Sequence, residues 1–262
     1  MGGTGVRAVG REDSWRDVVD HLAGAQKSNR GAAAYSRWVN RPLGRRLAAT
    51  AFKLGRTPDQ VTLVSAAVTF TGIVLLALLP PSLATGVVVA MLLVLGYALD
   101  AADGQLARLT GTGSMSGEWL DHVVDCLKIS ALHLAVLIGW YRGFDLGDGW
   151  LLVPIAFCAE AAVFFFAIIL TEQLRRRAGA MPPVTADPSR PSVLRSLLVI
   201  PNDYGVLCLT FLLWGWHAGF VGIYAALAVV NVGLLAIALA RWYAELHRID
   251  AARLDASRAE AM

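Results

Sequence analysis

From Val61 onward the chain alternates long apolar blocks with short polar breaks. Each block is comparable with the ~20 residues that a bilayer-spanning helix needs. Six spans are predicted, at about 61–79, 84–106, 118–140, 150–171, 203–218 and 220–242. Pro80-Pro81 closes the first, because proline cannot continue a helix. A very short turn near His217-Ala218-Gly219 joins the last two, and Asp203 reads as the helix-start residue of the fifth. Ahead of the spans, residues 34–56 have a different pattern. Tyr35, Trp38, Val39, Leu43, Leu47, Ala51 and Leu54 recur at helical spacing, while Arg37, Arg41, Arg45, Arg46 and Lys53 fill the other faces. A basic amphipathic helix with aromatics lies in the membrane interface. Pro42 suits its start and Gly55 its end. The polar loop 172–202 holds Pro182, Pro183, Pro188 and Pro191, with a short interfacial helix expected at 192–200. The predicted fold class is an all-α integral membrane protein: six transmembrane helices preceded by an amphipathic interfacial helix. Its expected parts are a polar tail (1–30), the interfacial helix (31–56), a six-helix domain (57–242) and a second tail (243–262).

Composition agrees. The chain is 56% apolar and 16% charged, against about a quarter charged in soluble domains. Of its 23 Lys and Arg, eleven precede Val61. With the N-terminus in the cytoplasm, six spans return the C-terminus there. The outer loops near 80–83, 141–149 and 217–220 then carry one cation, Arg142, and the rest lie inside except Lys128, which falls within the third span. No basic run interleaved with aromatics points to nucleic acid. Residues 1–30 hold no apolar stretch of the kind a signal peptide needs. Cys126, Cys158 and Cys208 sit in apolar stretches and read as small core residues. Trp119, Trp140, Trp150, Trp214, Trp216 and Trp242 fall near span ends, the pattern of an aromatic belt.

Four acids break the apolar pattern. Asp100 and Asp103 close the second span, and Asp121 and Asp125 open the third. Ionisable residues within membrane helices are costly and mark function by default. Offsets of three and four place each pair on one helical face. A short connection makes the two helices antiparallel neighbours, so the four carboxylates can converge. They would repel one another without a cation between them. Hard divalent ions, Mg²⁺ or Mn²⁺, fit oxygen ligands of this kind next to phosphates. Ala101, Ala102, Gly104 and Ala107 leave one side of the second span without bulk, and Gly117 does the same in the third; something flat is expected there. Arg108 offers a planar cation suited to phosphate oxygens. Lys128, three residues after Asp125, either pairs with it or meets an acceptor phosphate. Arg175, Arg176, Arg177, Arg190 and Arg195 read as headgroup contacts or as acceptor ligands, and His122 and His133 as groups packed in the bundle. A cation or proton transporter is the alternative function class, since intramembrane carboxylates also mark ion paths.

Taken together the residues read Asp-x2-Asp-Gly-x2-Ala-Arg-x8-Gly-x3-Asp-x3-Asp over 100–125. This resembles the signature of the CDP-alcohol phosphotransferase family at every fixed position, and more loosely over residues 34–242. The fixed offsets of Gly104, Ala107, Arg108 and Gly117 do not follow from the transporter alternative. The resemblance implies that Asp100, Asp103, Asp121 and Asp125 bind one or two divalent metals, and that Gly104, Ala107, Arg108 and Gly117 line the CDP site. It implies that Asp125 is the general base toward the acceptor hydroxyl, with release of CMP. The donor would be CDP-diacylglycerol or a small CDP-alcohol, and the acceptor an alcohol or phospho-alcohol. A homodimer in a bacterial plasma membrane, with its active site on the cytoplasmic side, is expected. The segment Tyr35–Arg45 resembles the lead-in of members that handle inositol phosphate groups. Where members carry Thr-Pro-Asn-x2-Thr, this chain has Thr57-Pro58-Asp59-Gln60-Val61-Thr62. Asp59 departs from that pattern and reads as a helix N-cap.

Overall fold

Capping residues set the frame of the bundle. The computed structural model describes residues 9–24, 33–179 and 203–260. Helix α1 (Trp15–Gly24) precedes a π-helical turn (Ser36–Asn40), α2 (Arg41–Lys53), α3 (Pro58–Leu78), α4 (Leu83–Thr110), α5 (Met115–Gly143) and α6 (Leu152–Arg177). Then follow a short α7 (Tyr204–Thr210), continued by a 3₁₀ turn (Phe211–Leu213), and α8 (His217–Glu260). No strand occurs among the described residues. The expected helix at 192–200, with Arg190 and Arg195, lies outside them.

Proline opens α2, and glycine closes it. Gly55 adopts φ +67°, and the amides of Gly55 and Arg56 donate to the carbonyls of Phe52 and Ala51. That is the Schellman arrangement, which needs a residue tolerant of positive φ. Gly111, at φ +66°, closes α4 in the same way, with Thr112 N–H donating to Ala107 O. Thr57 caps α3 in a reciprocal box with Gln60, and Ser114 caps α5 by accepting from Gly117 N at 3.0 Å. The cap of α3 is therefore Thr57, and Asp59 lies in the first turn, facing a cleft.

Among the described residues, five helices are long and apolar enough to cross a membrane: α3, α4, α5, α6 with its leading 3₁₀ turn, and α8. The fifth expected span is described only as Tyr204–Leu213. Ten residues of helix rise about 15 Å, half of a ~30 Å hydrocarbon core. This segment still runs from one level of α4 to the other. Tyr204 packs edge-on against Tyr97, with ring centroids 5.2 Å apart. At the far end, a Cβ on Gly86 would meet Phe211 O and Trp214. Asp203 starts the segment as expected, accepting from Gly205 N at 3.1 Å and from Ser36 N at 3.0 Å. Helix α8 does not stop at 242. Its 44 residues span about 66 Å.

Two apolar cores result. One joins α3 to α8 at the end of the bundle away from the signature, around Trp140, Phe157, Phe211, Trp214, Phe220 and Tyr224. Trp140 and Trp214 are fully buried there, while Trp119, Trp150 and Trp216 are exposed as belt residues would be. Full burial of a Trp contributes more inside a core than at an interface. The second core joins α1, α2, α3 and α4, with Val18, Leu22, Ala48, Ala49, Phe52, Val61, Ala102 and Leu106. Helix α1 thus packs onto α2 through Val18 and Leu22, so the described part of the N-terminal segment is an amphipathic helix. Of the cysteines, Cys208 is buried, Cys158 half-buried and Cys126 exposed, so the core reading holds for one of the three.

Candidate active site

Polar positions on α3 organise the acids. Thr62, Ser65, Thr69 and Gly72 lie on one face of that helix, and the first three are buried. Small residues let membrane helices approach closely. Ser65 Oγ donates to Gly96 O at 2.9 Å, and a Cβ on Gly96 would collide with Thr69. At this spacing Thr62 Oγ1 reaches Asp103 and donates to its Oδ2 at 2.6 Å. Ser65 also accepts from Lys128 Nζ at 3.1 Å. Thr62 and Ser65 had no assigned role in the sequence, although polar residues at i and i+3 in an otherwise apolar helix were their signal.

Three of the four acids gather. One carboxylate oxygen each from Asp100, Asp103 and Asp121 lies within 4.8 Å of the others. Two oxygens on one Mg²⁺ are at most about 4.2 Å apart at bond lengths of 2.0–2.1 Å. A small rotamer adjustment therefore brings this donor set into range, and three hard oxygens fit a hard divalent ion. Asp125 is not in the group. Lys128 Nζ holds it, donating to Asp125 Oδ1 at 3.2 Å and to Asp100 Oδ1 at 2.6 Å. Lys128 thus forms the expected ion pair with Asp125 and, through Asp100, bridges both carboxylate helices.

The acids divide two spaces. On one side a cleft of about 660 Å³ is lined by Asp103, Gly104, Ala107, Arg108, Gly117 and Asp121. Asp59, Thr62, His122 and Arg176 line it as well. His122 was expected inside the bundle. It borders the cleft instead, 3.9 Å from Glu118. Arg176 pairs with Glu172 on its own helix at 2.6 Å and with Glu118 of α5 at 3.3 Å, across the rim. Arg175 makes a two-pronged pair with Glu245 of α8. On the other side, a chamber of about 160 Å³ is lined by Asp100, Asp125, Lys128, Thr69, Tyr97 and Tyr204.

The small-residue side of α4 needs a correction. Gly104 and Ala107 do face the cleft, but Ala101 and Ala102 are covered by protein. A Cβ on Gly44 of α2 would lie 2.9 Å from Ala101 Cβ, and Ala102 is buried in the core shared with α1 and α2. At 3.6 residues per turn, Ala102 points away from the face of Gly104 and Ala107, and Ala101 lies on the flank between the two, where α2 reaches it. The flat occupant of that face is the interfacial helix itself.

Over 108 residues the chain is 35% identical to the archaetidylinositol phosphate synthase of Pyrococcus horikoshii. That stretch covers 41% of this chain and only about half, 54%, of the relative. The family model described as CDP-alcohol phosphatidyltransferase matches residues 56–240, which hold α3 to α7, most of the membrane part of α8 and every signature residue. By that match, the chain belongs to the CDP-alcohol phosphatidyltransferase family.

Proposed function

We propose that this chain transfers a phospho-alcohol group from a CDP-linked donor to an alcohol acceptor and releases CMP. One observation carries the reading: six of the eight signature residues line a single cleft, and a seventh, Asp100, completes the carboxylate group at its base. The donor's pyrophosphate and nucleotide lie in that cleft. Gly104, Ala107 and Gly117 leave room for them, since a Cβ on Gly104 would meet nothing nearer than Arg108 Nη1 at 3.4 Å. Arg108 supplies a forked cation to phosphate oxygens.

Asp100, Asp103 and Asp121 would hold a divalent metal, Mg²⁺ or Mn²⁺, with Asp125 added once Lys128 releases it. When bound, such an ion supplies positive charge to the phosphate oxygens and to the leaving CMP. Thr62 keeps Asp103 oriented through its hydrogen bond. Asp125, on the chamber side, accepts the proton of the acceptor hydroxyl. The hydroxyl oxygen forms a bond to the donor's distal phosphorus, the bond from that phosphorus to the bridging oxygen breaks, and CMP departs. Lys128 balances the charge of Asp100 and Asp125 and can meet an acceptor phosphate.

The name of the Pyrococcus relative and the segment Tyr35–Arg45 favour CDP-diacylglycerol or a similar CDP-linked lipid as donor and an inositol phosphate as acceptor. The positive-inside bias supports cytoplasmic termini, with the site at the cytoplasmic face; a homodimer in a bacterial plasma membrane rests on the family resemblance alone. The test is CMP release by purified protein with Mg²⁺ or Mn²⁺ and a panel of donors and acceptors. Metal-dependent release that EDTA stops and Asp100→Asn eliminates is the expected result. Ion flux in liposomes without CMP release would favour the transporter reading instead.

A further inference from the structure

Glu160 lies about two turns into α6 and is only 6% exposed. It forms no hydrogen bond or ion pair with any described residue. A lone carboxyl group inside a membrane helix is costly and calls for a partner. This one borders a second chamber of about 170 Å³ between α5, α6, α7 and α8. Its walls include Ile129, Phe157, Phe164, Phe165 and Leu207. The other polar groups there are already engaged. His133 Nδ1 is 2.6 Å from Tyr224 Oη, Asn231 Nδ2 donates to Leu227 O, and Asp203 caps α7.

This chamber adjoins the one that holds Asp100, Asp125 and Lys128. Ile129, Phe165 and Tyr204 line both. Along α5, Ile129 and His133 lie one and two turns past Asp125. The Glu160 chamber therefore sits about 6–12 Å deeper than the proposed general base. A water in the liquid takes about 30 Å³, so the chamber has room for about five, enough for a six-membered ring. Aromatic walls accept the C–H faces of such a ring. The carboxyl group accepts hydrogen bonds from its hydroxyls and repels a second phosphate.

We propose that Glu160 is a specificity-determining residue that binds the far hydroxyls of a cyclic polyol acceptor, while the near hydroxyl reacts beside Asp125. The inference rests on the transferase reading for its geometry, but binding tests it without turnover. Wild-type protein in detergent should bind radiolabelled myo-inositol 1-phosphate. Glu160→Leu, a change that a membrane helix tolerates, should weaken that binding at least tenfold. Glu160→Gln, which keeps a hydrogen-bonding oxygen, should fall between the two. In CMP-release assays the same variants should raise KM for inositol phosphate in that order, leaving KM for the CDP-linked lipid within twofold and KM for glycerol 3-phosphate unchanged. No binding of inositol phosphate to the wild type would overturn the proposal. So would an equal change for every acceptor, an effect confined to the donor, or a Glu160-dependent preference for serine or choline, which would make the ligand an ammonium group. Glu160-dependent binding without CMP release from any donor would support this site and sink the transferase reading.

Discussion

Replacing Lys128 with Met removes the single ammonium that bridges Asp100 and Asp125. Lys128 is 5% exposed and its three partners are Asp100, Asp125 and Ser65, at 2.6, 3.2 and 3.1 Å. The methionine fills nearly the same volume, so packing changes little. What remains is two carboxylates facing each other without a counter-charge. Removing one partner of a buried ion pair costs about 3–5 kcal/mol. The side chains of Asp100 and Asp125 are 21% and 29% exposed, so water offsets part of that, and the lower end of the range, about 3 kcal/mol, is expected. For a chain of this size such a loss lowers the melting temperature by about 6–12 °C. The assay is thermal unfolding in detergent with EDTA, followed by tryptophan fluorescence. Lys128→Arg keeps the charge and should recover at least half of the loss. Adding Mn²⁺ should narrow the gap between Lys128→Met and wild type, because the carboxylates then have another counter-charge. A Lys128→Met protein that melts within about 2 °C of wild type in EDTA, or above it, would refute the reasoning. The bridge would then contribute nothing to holding α4 and α5 together.

Other outcomes follow from the same geometry. Asp125→Asn should abolish CMP release while the protein stays folded, because it removes a charge that is costly in the membrane; retained turnover would rule Asp125 out as the base. Gly44→Val should destabilise the fold by about 1–3 kcal/mol through overpacking against Ala101 and Gln105, measured by melting temperature. Gly104→Val, in contrast, should melt within about 2 °C of wild type yet raise donor KM at least tenfold, since its new methyls enter open cleft rather than protein. Arg108→Lys should raise donor KM by about tenfold or more, since a point charge replaces a two-pronged contact, with little change in melting temperature.

Much of this was legible in the sequence, and the exceptions share a cause. The positions of five spans, the Gly55 stop and the Asp203 cap follow from hydropathy and local backbone chemistry. The signature spacing placed Asp103, Gly104, Ala107, Arg108, Gly117 and Asp121 around one space. Periodicity alone could not say what covers each face of an all-apolar helix. That is why Trp140 and Trp214 passed for belt residues and Ala101 and Ala102 for part of a substrate cradle. Thr62 and Ser65 went unassigned because their partners are 41 and 63 residues away, beyond any local pattern. Helical spacing offered Lys128 as a partner for Asp125, one turn back, but not its reach across to Asp100 on α4.

The seam between α2 and α4 changes how variation along this chain should be read. No residue of α2 lines the cleft, yet Gly44 rests on the turn that lies between Asp100 and Asp103. A deep mutational scan would therefore show two intolerant tracks. One is the signature, where loss of activity comes with intact expression. The other is Gly44, Ala48 and Ala49, where a larger side chain pushes the acid-bearing helix out of register and is scored as inactive without ever approaching a substrate. Polar and charged replacements at Arg46, an exposed position of the same helix, would pass unnoticed beside them. A variant in this interfacial helix is thus to be judged by its volume, and only then by its charge.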